Sequence, residues 1–353
     1  MNTAMIQSIQ PSTFLELADR FPVIDVRSPG EFAQGHVPDA ASIPLFDDPE
    51  RAIVGKLYVK SGRAEAIMKG LDIALPKVDY YLGSLDSVGS KGLILLHCWR
   101  GGMRSALMAE VFSRAGYEVN VLSGGYKAYR HAIREKLAEP VRVIVLGGFT
   151  GIGKTELLHA IASAGEQVID LEKLASHRGS VFGALGQPPQ PTNEQFENDL
   201  SLQWKNLDLT RPVWMEDESR MIGRITLPDP VVEQLSKGML IRAGLDARIR
   251  IDRLVKEYSG FDNLLLAGAI NRISERLGGT RTKEALMALE NGRFGEVAAI
   301  VLAYYDKAYL FSMARRKNPE GYDIEMSGRD VDEDAVRIIE FSRKYHGHGT
   351  DLP

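Results

Sequence analysis

Eight residues constrain the fold more than any other stretch: Gly148-Phe149-Thr150-Gly151-Ile152-Gly153-Lys154-Thr155. A G-x4-G-K-T loop grips phosphate only when a strand delivers it and a helix leaves it. Both flanks are present. Val141-Arg142-Val143-Ile144-Val145-Leu146 is rich in β-branched residues and reads as a strand, and Glu156–Ala164 reads as a helix. Gly148, Thr150, Gly151 and Gly153 let backbone N–H groups approach phosphate oxygens. Lys154 reaches a terminal phosphate, and Thr155 offers a hydroxyl to Mg²⁺. Two apolar runs that end in carboxylates follow, Gln167–Glu172 and Pro212–Glu218. Either can supply the metal-side or base carboxylate of such a site. Glu216 and Asp217 end the more apolar run, so they are the favoured partners of Thr155 for Mg²⁺, although a solvated acidic turn has the same composition.

A second stretch carries different chemistry. Leu93-Ile94-Leu95-Leu96 reads as a buried strand, followed by His97-Cys98-Trp99-Arg100-Gly101-Gly102-Met103-Arg104-Ser105 and a helix marked by Leu107, Met108, Val111 and Phe112. Cys98 is the only cysteine in 353 residues. Converging backbone N–H groups and a helix N-terminus lower a thiol pKa and hold an anion. Arg100 and Arg104 add positive charge, and Arg104 can grip a tetrahedral oxyanion with two hydrogen bonds. A buried structural cysteine explains neither the arginines nor the glycines.

Around this stretch, Pro22–Arg27 reads as a strand, Ser28–Phe32 as a turn into a helix, and Glu118–Leu122 as another strand ended by Ser123-Gly124-Gly125-Tyr126. The alternation predicts a small parallel α/β sheet. IDVRSPGEFAQGHVPDAASIPL, the cysteine loop and LSGGY together resemble a rhodanese domain over residues 10–137. The resemblance implies that Cys98 carries a chalcogen atom. The loop departs from the commonest rhodanese pattern, because Cys98-x5-Arg104 holds one extra residue and equals the spacing of cysteine phosphatases. A wider cradle of phosphate size follows. His36 reads as a local hydrogen-bonding residue, His97 as one that orients the loop, and Asp25 with Arg27 as a supporting pair.

Length suggests two domains, placed at 1–138 (rhodanese-like) and 139–353 (P-loop, with a helical C-terminal part). The predicted class is α/β, a parallel-sheet rhodanese-like domain followed by a P-loop NTPase-like domain. Apolar content of 44% and charged content of 25% are ordinary for a globular chain. A single cysteine excludes an intrachain disulfide. The N-terminus has no secretory pattern, and no uninterrupted apolar run approaches membrane-spanning length, so a cytoplasmic protein without membrane contact is expected. A net charge of −4 means that any polyanion must meet a local basic surface. Arg248, Arg250 and Arg253 on a predicted helix, and Arg315 and Arg316 after Tyr304, Tyr305 and Tyr309, are candidates for phosphate or RNA contacts. A solvated helix face has the same composition. Phe196, Leu200 and Trp204 read as core, and the His346-Gly347-His348 tail as disordered.

A rhodanese domain fused to a P-loop domain, with CWRGGMRS and GGFTGIGKTELL in that order, resembles the bacterial tRNA 2-selenouridine synthases over essentially the whole chain. The resemblance implies a tRNA bearing 2-thiouridine at the wobble position. It also implies S-geranylation from geranyl diphosphate, then selenium transfer from selenophosphate through a Cys98 perselenide, with a selenophosphate-producing enzyme as a partner. Two rivals share the motifs. One is a rhodanese-fold cysteine phosphatase or sulfurtransferase fused to a P-loop kinase. The other is an ATP-gated tRNA-binding redox sensor.

Overall fold

The computed structural model describes residues 5–89, 92–314 and 321–346. Arg315, Arg316 and the end of the tail from Gly347 lie outside the described residues. The chain divides into two compact units, residues 1–137 with 197–202, and residues 138–196 with 203–353.

The first unit is built on a five-stranded, all-parallel sheet in the order β1-β5-β4-β2-β3. Its strands are β1 (Ile6–Ile9), β2 (Val23–Asp25), β3 (Ala41–Ser42), β4 (Leu93–His97) and β5 (Glu118–Leu122). Parallel strands are buried on both faces, which is why β4 reads as a continuous apolar run. Ile94, Leu95 and Leu96 are all buried, with Met108 and Phe112 of helix Met103–Arg114 among the core beneath them. Pairing of Asp25 with His97 puts the ends of β2 and β4 side by side. The polar start of the chain supplies an edge strand, β1, and residues 48–86 form three helices, Asp48–Lys60, Arg63–Ala74 and Val78–Asp86. The sequence reading assigned neither.

The second unit has another five-stranded parallel sheet, in the order β12-β11-β6-β8-β7. Strand β6 (Val143–Gly147) is central and fully buried, flanked by β8 (Val213–Glu216) and β11 (Met239–Gly244), with β7 (Gln167–Val168) and β12 (Gly321–Glu325) at the edges. A two-stranded antiparallel ribbon, β9 (Met221–Ile222) with β10 (Ile225–Thr226), follows β8. The run after β7 does not continue as a strand: Asp170 caps a short helix, Leu171–Leu174, by accepting from Lys173 N at 2.7 Å. Phe196, Leu200 and Trp204 are buried. Helices Asn263–Arg272, Ser274–Leu277 and Gly279–Glu290 share an apolar cluster around Leu266, Ile270 and Leu289, with Phe294 and Val297 of the next helix packed against it.

That next helix, Phe294–Ala314, bears on the membrane expectation, although Glu296, Asp306 and Lys307 interrupt its apolar residues. By length and composition alone, its 21 residues are long and apolar enough to cross a membrane. It carries Asp306, whose carboxylate pairs with buried Arg250 at 2.9 Å, and Tyr305 and Tyr309, whose hydroxyls accept from backbone N–H groups of the same unit. These contacts tie the helix into the second unit. The final helix, Val331–His346, continues as far as the described residues reach.

Candidate functional site

In the first unit the cysteine loop leaves β4 and enters helix Met103–Arg114 at Gly102. Cys98 is 3% exposed. Its Sγ lies 3.3 Å from Ser105 Oγ and accepts from Gly102 N at 3.4 Å, while Ser105 Oγ donates to Gly102 O at 2.9 Å. Burial works against the thiolate. The Ser105 hydroxyl and the backbone N–H groups of Ser105, Arg100 and Gly102 outweigh it together, so the thiol pKa falls below its ordinary value.

The LSGGY segment braces this loop. Tyr126 N donates to Cys98 O at 2.8 Å and Lys127 N to Trp99 O at 3.0 Å. A Cβ on Gly125, which sits at φ +61°, would lie 2.5 Å from Cys98 O, so only glycine permits this approach. Beneath lies a buried network. Arg27 donates through Nε and Nη2 to Asp25 and through Nη2 to Gly35 O, and its guanidinium stacks 3.6 Å from the Tyr126 ring centroid. Burial pushes the His97 pKa down against the pull of Asp25, so the imidazole is neutral beside this pair. His36 bonds Phe32 O at 3.0 Å and stacks on the Phe32 ring.

Arg104 stands in the first turn of the helix, held by a partner that sequence reasoning missed. Glu31 takes its Nη1 at 2.7 Å and Nη2 at 3.3 Å, and also accepts from Ser28 N and Arg51 Nε. Burial opposes the Glu31 charge, but Arg104, Ser28 and Arg51 prevail and lower its pKa. Glu31 thus fixes the guanidinium. The available signal was Ser28-x-x-Glu31, a capping box whose glutamate also reaches outward. Arg100 is exposed on the loop.

In the second unit, Gly148–Gly153 forms the loop between β6 and helix Lys154–Ser163, with Gly153 in the left-handed conformation as the helix N-cap. Thr155 Oγ1 donates to Glu172 Oε2 at 3.1 Å. Of the two expected carboxylates, neither lines the cavity at the loop. Glu216 is fully buried, accepts from Leu171 N at 3.0 Å, and its pKa is driven far up by burial and then by Asp170 and Glu172. Asp217 accepts from Tyr309 Oη at 3.3 Å, and the same hydroxyl accepts from Gly148 N. Glu172 and Glu218 line the cavity with Lys154 and Thr155 instead. Both are raised, first by burial; repulsion by Glu172 adds to Glu218, which reaches about 8. The two carboxyls share a hydrogen bond, so one proton serves both. Glu172 ends an apolar run as visibly as Glu216 does; only the helical turn after Asp170 swings it to the loop.

The basic helix splits by face. Arg250, 6% exposed, donates to Thr150 O at 3.2 Å and pairs with Asp306. Arg253 lies against Gly153 and pairs with Glu156. Arg248 is exposed. Among the described residues no three His, Cys, Asp or Glu side chains form a metal cage. A phosphate-bound cation needs fewer protein ligands, because substrate oxygens and water complete its shell.

Comparison with known proteins adds the following. Residues 141–328 match the family model described as the tRNA 2-selenouridine synthase AAA domain, and residues 10–132 match the rhodanese-like domain. A curated tRNA 2-selenouridine synthase of Nitrosomonas europaea is 33% identical over 88% of this chain and 94% of its own length. One from Sulfurovum sp. is 36% identical over 83% and 89%. A solved rhodanese-related protein from Thermoplasma volcanium is 19% identical over 36% of this chain and 92% of its own, with a TM-score of 0.23.

Proposed function

Because the chain belongs to the tRNA 2-selenouridine synthase family, enzymes named for modifying tRNA with selenium, we propose that it exchanges the sulfur of a wobble 2-thiouridine for selenium in two stages, one at each loop. The observation that carries this reading is the pairing, in one chain, of a thiol with a lowered pKa in an anion cradle and a phosphate loop.

A thiocarbonyl sulfur leaves poorly, whereas an S-alkylated one departs as a thiol. In the first stage the base sulfur attacks C1 of geranyl diphosphate. The S–C bond forms, the C1–O bond breaks with its electron pair on diphosphate, and the N3 proton passes to solvent. Lys154, Thr155 and the loop amides hold the diphosphate as its charge grows. Mg²⁺ fits beside them: Thr155 and the Glu172–Glu218 pair supply oxygen ligands, and the proton that pair retains marks where a cation balances charge. Bound there, Mg²⁺ would supply Lewis-acid stabilisation of the leaving group.

In the second stage the selenium of selenophosphate adds to C2 of the base. The C–Se bond forms, the C2–S bond breaks, and geranylthiolate leaves and takes a proton from solvent. The Cys98 thiolate then attacks phosphorus of the Se-phosphorylated base. The S–P bond forms and the P–Se bond breaks with its electron pair on selenium, which releases the 2-selenouridine. With no second cysteine in the chain, water hydrolyses the Cys98 thiophosphate and inorganic phosphate leaves, so no oxidant or reductant is consumed. Arg104, locked by Glu31, holds the phosphate of the donor.

Nucleoside mass analysis tests the whole. Thiolated tRNA incubated with the protein and geranyl diphosphate is expected to gain an S-geranyl nucleoside, and to become selenouridine once selenophosphate is added. Unmodified tRNA recovered from both incubations would overturn the proposal.

A further inference from the structure

The phosphate loop opens onto a cavity of 260 Å³. Thr150, Gly151, Gly153, Lys154 and Thr155 form one end. Away from them the walls become apolar. Phe294, Val297, Ala298 and Val301 stand at helical spacing along one face of Phe294–Ala314, and Leu266 and Leu289 also line the cavity. Two further charged side chains of the lining, Arg178 and Glu257, pair with each other. A purine or ribose needs aimed polar partners to be held in place. Ser180, Ser259, Tyr258 and Tyr305 also line the cavity, with the Tyr305 hydroxyl engaged by Val181 N, while the Phe294–Val301 face offers hydrocarbon.

The same geometry accounts for the membrane-like composition of the helix. Only 17% of its most apolar window is buried, yet the face toward the loop is a chamber wall, where apolar side chains serve a ligand rather than a core. A second apolar cleft, of 890 Å³, lies in the first unit beside Met103 and Arg104. Its cationic end belongs to the Cys98 loop, where Arg104 is paired with Glu31, whereas the cavity of the second unit opens directly onto the glycine-rich loop and Lys154.

We propose that the chamber behind the phosphate loop holds the hydrocarbon tail of an allylic diphosphate, and that Val297, Ala298 and Val301 set the chain length it accepts. This rests on the diphosphate-dependent alkylation proposed above. With the diphosphate on the loop amides and Lys154, C1 of the tail lies at the loop end and the remaining carbons extend along the helix face. Each carbon beyond the loop gains affinity by leaving water, and bulk added at Ala298 or Val301, which line the cavity, shortens the space open to the tail.

Calorimetric titration tests this with inorganic pyrophosphate, dimethylallyl, geranyl and farnesyl diphosphates as probes, in Mg²⁺ buffer. The wild-type protein is expected to bind geranyl diphosphate more tightly than pyrophosphate. Ala298→Phe is expected to weaken geranyl diphosphate roughly tenfold or more while leaving pyrophosphate and dimethylallyl diphosphate within experimental scatter. Val297→Ala, which removes bulk, is expected to move preference toward farnesyl diphosphate; it keeps the test alive should the phenylalanine variant fail to fold. Equal wild-type affinity for geranyl diphosphate and pyrophosphate would overturn the chamber. So would variants that bind pyrophosphate normally and show an unchanged chain-length order. Tight, chain-length-dependent binding with no S-alkylated tRNA would leave the chamber standing and overturn the alkylation reading alone.

Discussion

The two loops are built alike and surrounded differently. Each leaves a buried central strand of a parallel sheet, turns on glycine, and enters a helix whose N-terminal amides face the site. Around Cys98 the surroundings favour a negative charge: amides and a hydroxyl lower the thiol pKa, and the Glu31 carboxylate is paired with Arg104 and Arg51. Around Lys154 they disfavour one, since Glu172, Glu216 and Glu218 crowd together and all have raised pKa values. The first arrangement activates a nucleophile. The second, in the proposed reaction, would pair its carboxyls with Mg²⁺ as the diphosphate binds. Under the proposed function, one local geometry serves attack at one site and departure at the other, and the neighbouring carboxylates distinguish them.

The sharpest way to break this comparison is to remove each key side chain and follow both half-reactions. Cys98→Ala is expected to reduce 2-selenouridine formation to background while S-geranylation proceeds; loss of both in a folded protein would end the division of labour. Lys154→Ala is expected to slow geranylation about a hundredfold or more, with selenation of tRNA geranylated beforehand retained. Nucleoside mass analysis reads both.

Glu31 and Ser105 separate two functions within the first loop. Glu31→Gln frees Arg104, and selenation is expected to fall on the order of tenfold to a hundredfold through misplacement of the donor, with little change in the pH at which iodoacetamide alkylates Cys98. Ser105→Ala removes the largest hydrogen bond to sulfur, so that alkylation midpoint is expected to rise. A shift of the midpoint in Glu31→Gln, or none in Ser105→Ala, would reverse the assignment.

The smallest effect concerns the second loop. Glu218 is pushed up to about 8 by burial and by Glu172. Between the ordinary carboxyl pKa and that value, the folded chain holds a proton that the unfolded chain has released. Stability from this group therefore falls as pH rises across that window and levels off above it. Glu218→Gln removes the dependence, so its melting temperature relative to wild type is expected to improve from pH 5 to pH 8. A parallel pair of melting curves would show that the two carboxyls do not share a proton.

Much of this site is legible in local order. Both loops, their strands and their helices follow from glycine placement and apolar runs, because the chemistry of each motif requires its neighbours along the chain. Glu31 and Glu172 escape such reading for opposite reasons. Glu31 lies 73 positions from Arg104, and its capping role conceals its reach. Glu172 competes with Glu216 as an equivalent carboxylate at the end of an equivalent run. The tyrosines before the second basic cluster look like stacking platforms, yet Tyr305 and Tyr309 accept from Val181 N and Gly148 N.

What the residues determine by themselves is the pair of anion cradles, since backbone amides, a thiol and a lysine act within a few positions of one another. What only the tertiary structure decides is which charges and which apolar faces surround them. Burial, carboxylate repulsion and the chamber wall of helix Phe294–Ala314 depend on segments distant in the chain, and their energies exist only once those segments pack.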